Sequence, residues 1–144
     1  EEDGVIGMGE CADPNECKMI ADLGIDFRAA GIGNIHGQYP ANWKGLRFET
    51  LDAVQKLTGD IPLVLHGGSN NPDKEIGESV TLGISKINIS SDIKVAYFNK
   101  MREVLQDKGL REPGDIEPPC MEAMKEVVKH KLDLFQATGK AVLY

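Results

Sequence analysis

Two histidines occupy corresponding places in the sequence, each after an apolar run and each followed by glycine. His36 lies within residues 33–39 (GNIHGQY), and His66 opens residues 66–70 (HGGSN). Imidazole is a common zinc ligand, and two neighbouring strands can direct two rings at one ion. The alternative is a pair of hydrogen-bonded structural histidines. Their repeated placement favours a metal site.

Glycine and serine follow the second histidine, and serine recurs further along the chain. Gly67 and Gly68 have no Cβ, so their N–H groups can approach an anion closely, and Ser69 adds a hydroxyl. Ser90 and Ser91 form a second such loop before a predicted helix. A helix N-terminus is a favourable place for phosphate. A tight turn would explain either loop alone, whereas the two together predict a phosphate site.

These candidate residues lie where predicted strands end. Strands are predicted at residues 25–33, 61–66 and 84–89, and helices at residues 13–24, 47–59, 72–83, 91–109 and 120–139. Short apolar strands that alternate with helices are typical of parallel βα units. Active sites of such folds lie at the carboxyl ends of the strands. We therefore expect His36, His66 and Asn88 to meet at one edge of a sheet.

The helix boundaries carry capping signals of their own. Asp13 is predicted to cap the first helix, and Ser91 or Asp92 the fourth. His130 lies in the charged segment KEVVKHK and is predicted to be exposed. The predicted buried side of the last helix consists of Met121, Met124, Val127, Val128, Leu132 and Phe135.

The composition is that of a soluble globular domain and excludes several classes of partner. The net charge of −7 argues against nucleic acid or an anionic membrane. No apolar run approaches the ~20 residues that would span a bilayer. The three cysteines form neither a zinc-binding spacing nor an even disulfide set, so we expect free thiols in a reducing cytoplasm.

Several segments resemble signatures of the class II, zinc-dependent ketose-bisphosphate aldolases. They are AAGIGNIHGQYP at residues 29–40, IPLVLHGGSNNPD at 61–73 and GISKINISSD at 83–92. The opening EEDGV resembles the mobile loop of that family, and residues 124–141 resemble its C-terminal helix. The resemblance implies an α/β fold, the (β/α)₈ TIM barrel. Residues 1–144 would form the C-terminal portion of one barrel domain, about strands six to eight with their helices.

The resemblance also implies individual roles. His36 and His66 would be ligands of Zn²⁺, and Glu2 would be the acid/base of the mobile loop. Contacts to the substrate would come from Gly37, Gly67, Gly68, Ser69, Asn88, Ile89, Ser90 and Ser91. A monovalent cation could bind as a second cofactor. A homo-oligomer, either a dimer or a tetramer, is also implied.

The implied reaction is a step of glycolysis in the cytoplasm. It is the reversible aldol cleavage of fructose 1,6-bisphosphate, or of a relative such as tagatose 1,6-bisphosphate, to dihydroxyacetone phosphate and glyceraldehyde 3-phosphate. Zn²⁺ would stabilise the enediolate. The alternative is a non-catalytic relative that binds phospho-sugars or serves a structural role. It stays open because the Asp-His pair of the earlier family strands does not occur in this chain.

Several residues depart from the family pattern, among them Asn70, Asn71, Arg28, Pro40 and Ser90, and these departures leave the choice of ketose bisphosphate open. Asn70 replaces the glycine after HGGS, and we expect it to tolerate the left-handed backbone that glycine allows. Asn71 is polar. Arg28 replaces an apolar strand residue, and a charged group inside a barrel is costly unless it is paired.

Overall fold

The chain divides into two compact units. The computed structural model describes residues 11–37, 39–110 and 112–143. Most residue contacts are made within one of two segments, Glu1–Ile89 or Ser90–Tyr144, and these segments are the two units. The predicted organisation as one domain stays a prediction.

The helices and strands follow the predicted order. The first unit contains α1 (Pro14–Ala21), β1 (Arg28–Ala29), α2 (Phe48–Thr58), β2 (Leu63–Leu65), α3 (Asp73–Thr81) and β3 (Ile84–Ile87). The second unit contains α4 (Ser91–Val104), α5 (Glu117–Leu134) and the short 3₁₀ helices Pro113–Asp115 and Ala141–Leu143. Each strand is shorter than the apolar run that predicted it, because only part of each run pairs with a neighbouring strand and the rest belongs to loops.

The three strands form one parallel sheet in the order β1-β2-β3. Leu63 of β2 pairs with Arg28 of β1 on one side and with Ile84 of β3 on the other. The register shifts by an irregularity after Leu63. Since the strands are parallel and adjacent, the loops that follow them leave from the same edge. The prediction of parallel βα units is confirmed.

The core of the first unit lies between this sheet and its helices. Leu63 and Leu65 of β2 are at most 1% exposed. The helices contribute further fully buried side chains: Cys17 of α1, Leu51 and Val54 of α2, and Ile76 of α3. Burying one such aliphatic side chain contributes about 1.5–3 kcal/mol. The central strand is therefore a firm base for the loop that begins at His66.

The two capping predictions have different outcomes. The Asp13 carboxylate accepts a hydrogen bond from the Asn15 N–H at 2.7 Å, so this cap is confirmed. The prediction for α4 is wrong, because the helix begins at Ser91 and Ser90 stands at the N-cap without a capping side-chain hydrogen bond. The Asp92 carboxylate pairs instead with Nζ of Lys131, at 3.0 Å.

The side chain of Arg28 contacts helix α1. Its guanidinium Nη2 lies 3.7 Å from Sγ of Cys17 on α1. Its Nε atom is buried and makes no hydrogen bond within the described part of the chain. The side chain therefore contacts the helix layer through Cys17.

In the second unit α4 packs against α5. The less exposed side of α5 is spaced at i, i+4, i+7 and i+11 and consists of Cys120, Met124, Val127 and Lys131. Met121, Val128 and Leu132 are 50%, 41% and 43% exposed, so the predicted buried side is partly wrong. Lys131, in contrast, is buried on the inner side, where it pairs with Asp92. His130 is exposed, as predicted.

Candidate active site

The rings of His36 and His66 lie close together, in the loops that follow β1 and β2. Their centroids are 5.9 Å apart, and their planes are inclined by 45°. Two imidazoles that share one zinc ion, with Zn–N bonds of about 2.1 Å, have centroids roughly 5–6 Å apart. The spacing therefore suits two ligands of one metal. Within residues 11–37, 39–110 and 112–143, no group of three His, Cys, Asp or Glu side chains could hold an ion.

Asn88 holds the ring of His66. Its Nδ2 lies 3.1 Å from Nδ1 of His66, and its Oδ1 accepts a hydrogen bond from Nζ of Lys86. With the amide nitrogen facing Nδ1, a neutral ring carries its proton on Nε2. Rotating the amide would let Nδ1–H donate to Oδ1 and leave Nε2 free for a metal. Asn88 therefore controls which ring nitrogen is available.

Asn34 joins the loop after β1 to the end of β2. Its Oδ1 accepts from the Ile32 N–H at 2.9 Å, and its Nδ2 donates to the carbonyl of His66 at 3.0 Å. Asn34 belongs to the GNIHG segment but received no role from the sequence. A polar residue two positions before His36 was the available signal.

The two glycines after His66 allow three loops to pack closely. At Gly67, where φ is +64°, a Cβ would lie 2.0 Å from the carbonyl oxygen of Ile35. At Gly68 a Cβ would lie 2.5 Å from Cγ2 of Ile87. The N–H of Gly68 donates to the Asn88 carbonyl at 3.1 Å. This N–H is therefore occupied within the protein, and the role of both glycines in substrate binding stays a prediction.

The rest of this glycine-rich segment is also tied to its neighbours. Ser69 is buried, with 7% of its surface exposed. Asn70 has φ of +62°, which confirms that asparagine takes the left-handed conformation here. Its Nδ2 donates to the carbonyl of Gly37 at 3.1 Å. The loops that carry His36 and His66 are thereby linked directly.

Tyr39 and Asn71 form a polar cluster that the sequence analysis missed. The Tyr39 hydroxyl donates to the carbonyl of Gly67 at 2.8 Å and accepts from the Ile35 N–H at 3.2 Å. Nδ2 of Asn71 donates to the same carbonyl at 2.8 Å and to the Tyr39 hydroxyl at 2.9 Å. Burial raises the pKa of Tyr39, which keeps the phenol protonated as a donor.

Four predicted site residues remain to be placed. Ile89 ends the first unit, two residues after β3, and packs beside Gly68, where a Cβ would lie 3.0 Å from its Cδ1. Ser90 and Ser91 open the second unit, where α4 starts. Glu2 lies outside the described residues. No helix of the described chain has the length and hydrophobicity of a membrane span.

The sequence profile of the class II fructose-bisphosphate aldolases matches residues 1–140. The chain belongs to this family. Class II aldolases are metal-dependent lyases. A fructose-bisphosphate aldolase of Streptococcus pyogenes serotype M1 is 40% identical over 151 aligned residues, which cover 98% of this chain and 52% of that protein. One of Mycoplasma pneumoniae is 42% identical, with 98% of this chain and 51% of that protein covered.

Solved aldolase structures share the fold of this class II aldolase chain. The crystal structure of the YdjI aldolase from Escherichia coli K12 matches with a TM-score of 0.78 and 31% identity, over 91% of this chain and 46% of that one. The predicted fold class, part of a (β/α)₈ barrel, is confirmed. The chain spans about half the length of the curated relatives that it matches.

Proposed function

We propose that the protein catalyses the reversible aldol cleavage of fructose 1,6-bisphosphate to dihydroxyacetone phosphate and glyceraldehyde 3-phosphate. The observation that carries the proposal is the pair of neighbouring rings, His36 and His66, 5.9 Å apart in a chain of the class II aldolase family. A closely related ketose bisphosphate, such as tagatose 1,6-bisphosphate, is the second candidate substrate.

We propose zinc as the metal, held by His36 and His66 with a further protein ligand. Two neutral imidazoles suit zinc, and Nε2 of His36 is shielded from solvent, as a ligand atom should be. Zinc bound there would supply Lewis-acid polarisation of the ketone oxygen of the substrate. Asn88, through Nδ1 of His66, would set the tautomer that binds the metal.

The phosphate of the substrate would bind at two loops. The buried residue Ser69 and the backbone around Gly37 would contact it. Ser90 and Ser91, at the start of α4, are proposed as further phosphate contacts on the family resemblance alone. Such contacts fix the reacting carbons in place. Glu2 would move the proton at C1, an assignment that rests on the sequence alone.

We also propose a cellular compartment and an oligomeric state for the enzyme. Cys11, Cys17 and Cys120 are free thiols, which supports a reducing compartment such as the cytoplasm. We propose a homo-oligomer, a dimer or a tetramer, on the family resemblance alone.

Kinetics of two variants test the division of roles, in protein expressed from the complete coding sequence. Ser69→Ala should raise KM for fructose 1,6-bisphosphate and leave kcat nearly unchanged, because phosphate is held equally in the ground and transition states. Glu2→Ala should lower kcat by roughly 10²–10⁴-fold. An unchanged KM in Ser69→Ala would contradict the assignment of Ser69 to the phosphate site. A normal kcat in Glu2→Ala would contradict the assignment of Glu2 as the acid/base. A folded wild-type protein without cleavage of either bisphosphate would instead indicate a non-catalytic phospho-sugar-binding relative.

A further inference from the structure

The carbonyl of Gly67, in the residue after His66, accepts hydrogen bonds from two side chains. It accepts from the hydroxyl of Tyr39 and from Nδ2 of Asn71, both at 2.8 Å. A carbonyl oxygen has two lone pairs, so both are used. Two donors fix the plane of the Gly67–Gly68 peptide group, which begins one residue after His66. The backbone on this side of the histidine is therefore held in one orientation.

The same phenol oxygen also reaches the loop of the other histidine. It accepts from the N–H of Ile35, the residue before His36, at 3.2 Å. One oxygen atom is therefore hydrogen-bonded to the neighbour of each histidine. A shift of this oxygen would change the position of one loop relative to the other.

The ring of Tyr39 is held in place by Trp43, which lies in the same loop after β1. Trp43 packs edge-on against Tyr39, with ring centroids 4.4 Å apart. The indole Nε1 of Trp43 donates to the carbonyl of Gly33 at 2.8 Å, so the tryptophan is fixed in turn. An edge-on aromatic contact contributes about 0.5–1.5 kcal/mol beyond burial. The hydroxyl is thus presented from a rigid support.

Asn71 can act only as a donor in this cluster. Both contacts of its Nδ2 are with oxygen, and the residue is 6% exposed. Its Oδ1 is buried and has no hydrogen-bond partner among the residues described. An unsatisfied buried oxygen costs about 1–3 kcal/mol. The two donated hydrogen bonds are therefore the contribution of this side chain to the cluster.

We propose that Tyr39 and Asn71 form a clamp on the Gly67 carbonyl that sets the spacing of His36 and His66 for one metal ion. The inference rests on the proposed zinc site. Both clamp residues would act through the backbone beside the histidines, so both are positioning residues. Asn71 would be a feature of this chain, since it stands at a position where the sequence departs from the glycine-rich family pattern.

The test is zinc affinity, measured by chelator competition on protein expressed from the complete coding sequence. Tyr39→Phe removes the hydroxyl and keeps the ring against Trp43. Asn71→Asp replaces the donor with an acceptor that repels the Gly67 carbonyl. Each should weaken zinc binding by about 10- to 100-fold, the usual effect of losing a group that orients a ligand. Asn42→Asp adds the same charge at an exposed position and should leave zinc affinity unchanged.

A spectroscopic readout separates positioning from stability. Cobalt substituted for zinc should show an altered visible absorption spectrum in Tyr39→Phe, because the ligand geometry changes. A lower melting temperature with wild-type zinc affinity and spectrum would overturn the proposal. If Asn71→Asp does not fold, Asn71→Leu and Tyr39→Phe decide the matter. A wild-type protein that binds no zinc would instead refute the proposed function.

Discussion

Gly67 has two candidate roles, one in phosphate binding and one in the packing of the loops that carry the histidines. The sequence suggested that its missing Cβ leaves room for a phosphate. In the structure the same space is filled by the carbonyl of Ile35, only 2.0 Å from where a Cβ would stand. The glycine is therefore required for packing between the two histidine loops, whatever it does with a substrate.

A matched pair of alanine substitutions tests this interpretation. Gly67→Ala should destabilise the protein by more than the cost of a left-handed alanine, which is about 1–2 kcal/mol, because the carbonyl of Ile35 must also move. Gly24→Ala has a similar φ, +80°, with open space around the new Cβ, and should cost only the backbone term. Chemical denaturation of both variants gives the comparison. Equal losses of unfolding free energy would contradict the packing argument.

Some site residues could be predicted from the sequence because their signal is local. His36 and His66 each follow an apolar run and precede a glycine, which is visible in a short window. Tyr39 and Asn71 have no such signal. They meet only because β1 and β2 pair in parallel and bring distant loops to one edge.

At the scale of whole elements, the ion pair between α4 and α5 stands out. Nζ of Lys131 lies 3.0 Å from Oδ2 of Asp92, with 11% and 17% of the two side chains exposed. Desolvating such a pair is costly, so its effect is to fix how the helices pack more than to add stability. Periodicity alone could not have identified Lys131 as buried, because its partner lies on another helix.

Removing one partner of this pair should be costly. Lys131→Met should lower the free energy of unfolding by on the order of 2–3 kcal/mol, somewhat less than for a fully buried pair, because it leaves the Asp92 charge in a poorly solvated place. Lys129→Met breaks an exposed pair with Glu126 and should cost at most about 1 kcal/mol. Denaturation of both variants provides the test. Similar losses of unfolding free energy in the two variants would contradict the prediction that the Lys131–Asp92 pair matters more than an exposed pair.

The order of elements was predictable over the described residues, whereas the buried faces of some helices were not. Apolar runs and glycine stops predicted the strand β2 and the helix α3 closely. The exposed Val128 was assigned to the core because hydrophobicity was the only guide. Helix faces are selected by their neighbours, and the neighbours are not visible in a local pattern.

At the scale of the whole molecule, the described chain has a three-stranded parallel sheet and two candidate zinc ligands. Catalytic zinc usually has three protein ligands. We therefore predict that the 144-residue polypeptide alone does not cleave fructose 1,6-bisphosphate in a zinc-dependent manner. A coupled assay for dihydroxyacetone phosphate with added zinc checks this. Robust turnover by a polypeptide of 15.7 kDa, verified by mass, would contradict it.

We propose that His66 holds a catalytic zinc ion, and one experiment tests this most directly. Zinc content and cleavage of fructose 1,6-bisphosphate should be measured together for wild type, His66→Ala and His130→Ala, each expressed from the complete coding sequence. His130 is an exposed histidine and serves as the control. We predict about one zinc ion per chain in wild type and His130→Ala, and loss of both zinc and cleavage in His66→Ala. Undiminished zinc content and turnover in His66→Ala would contradict the account.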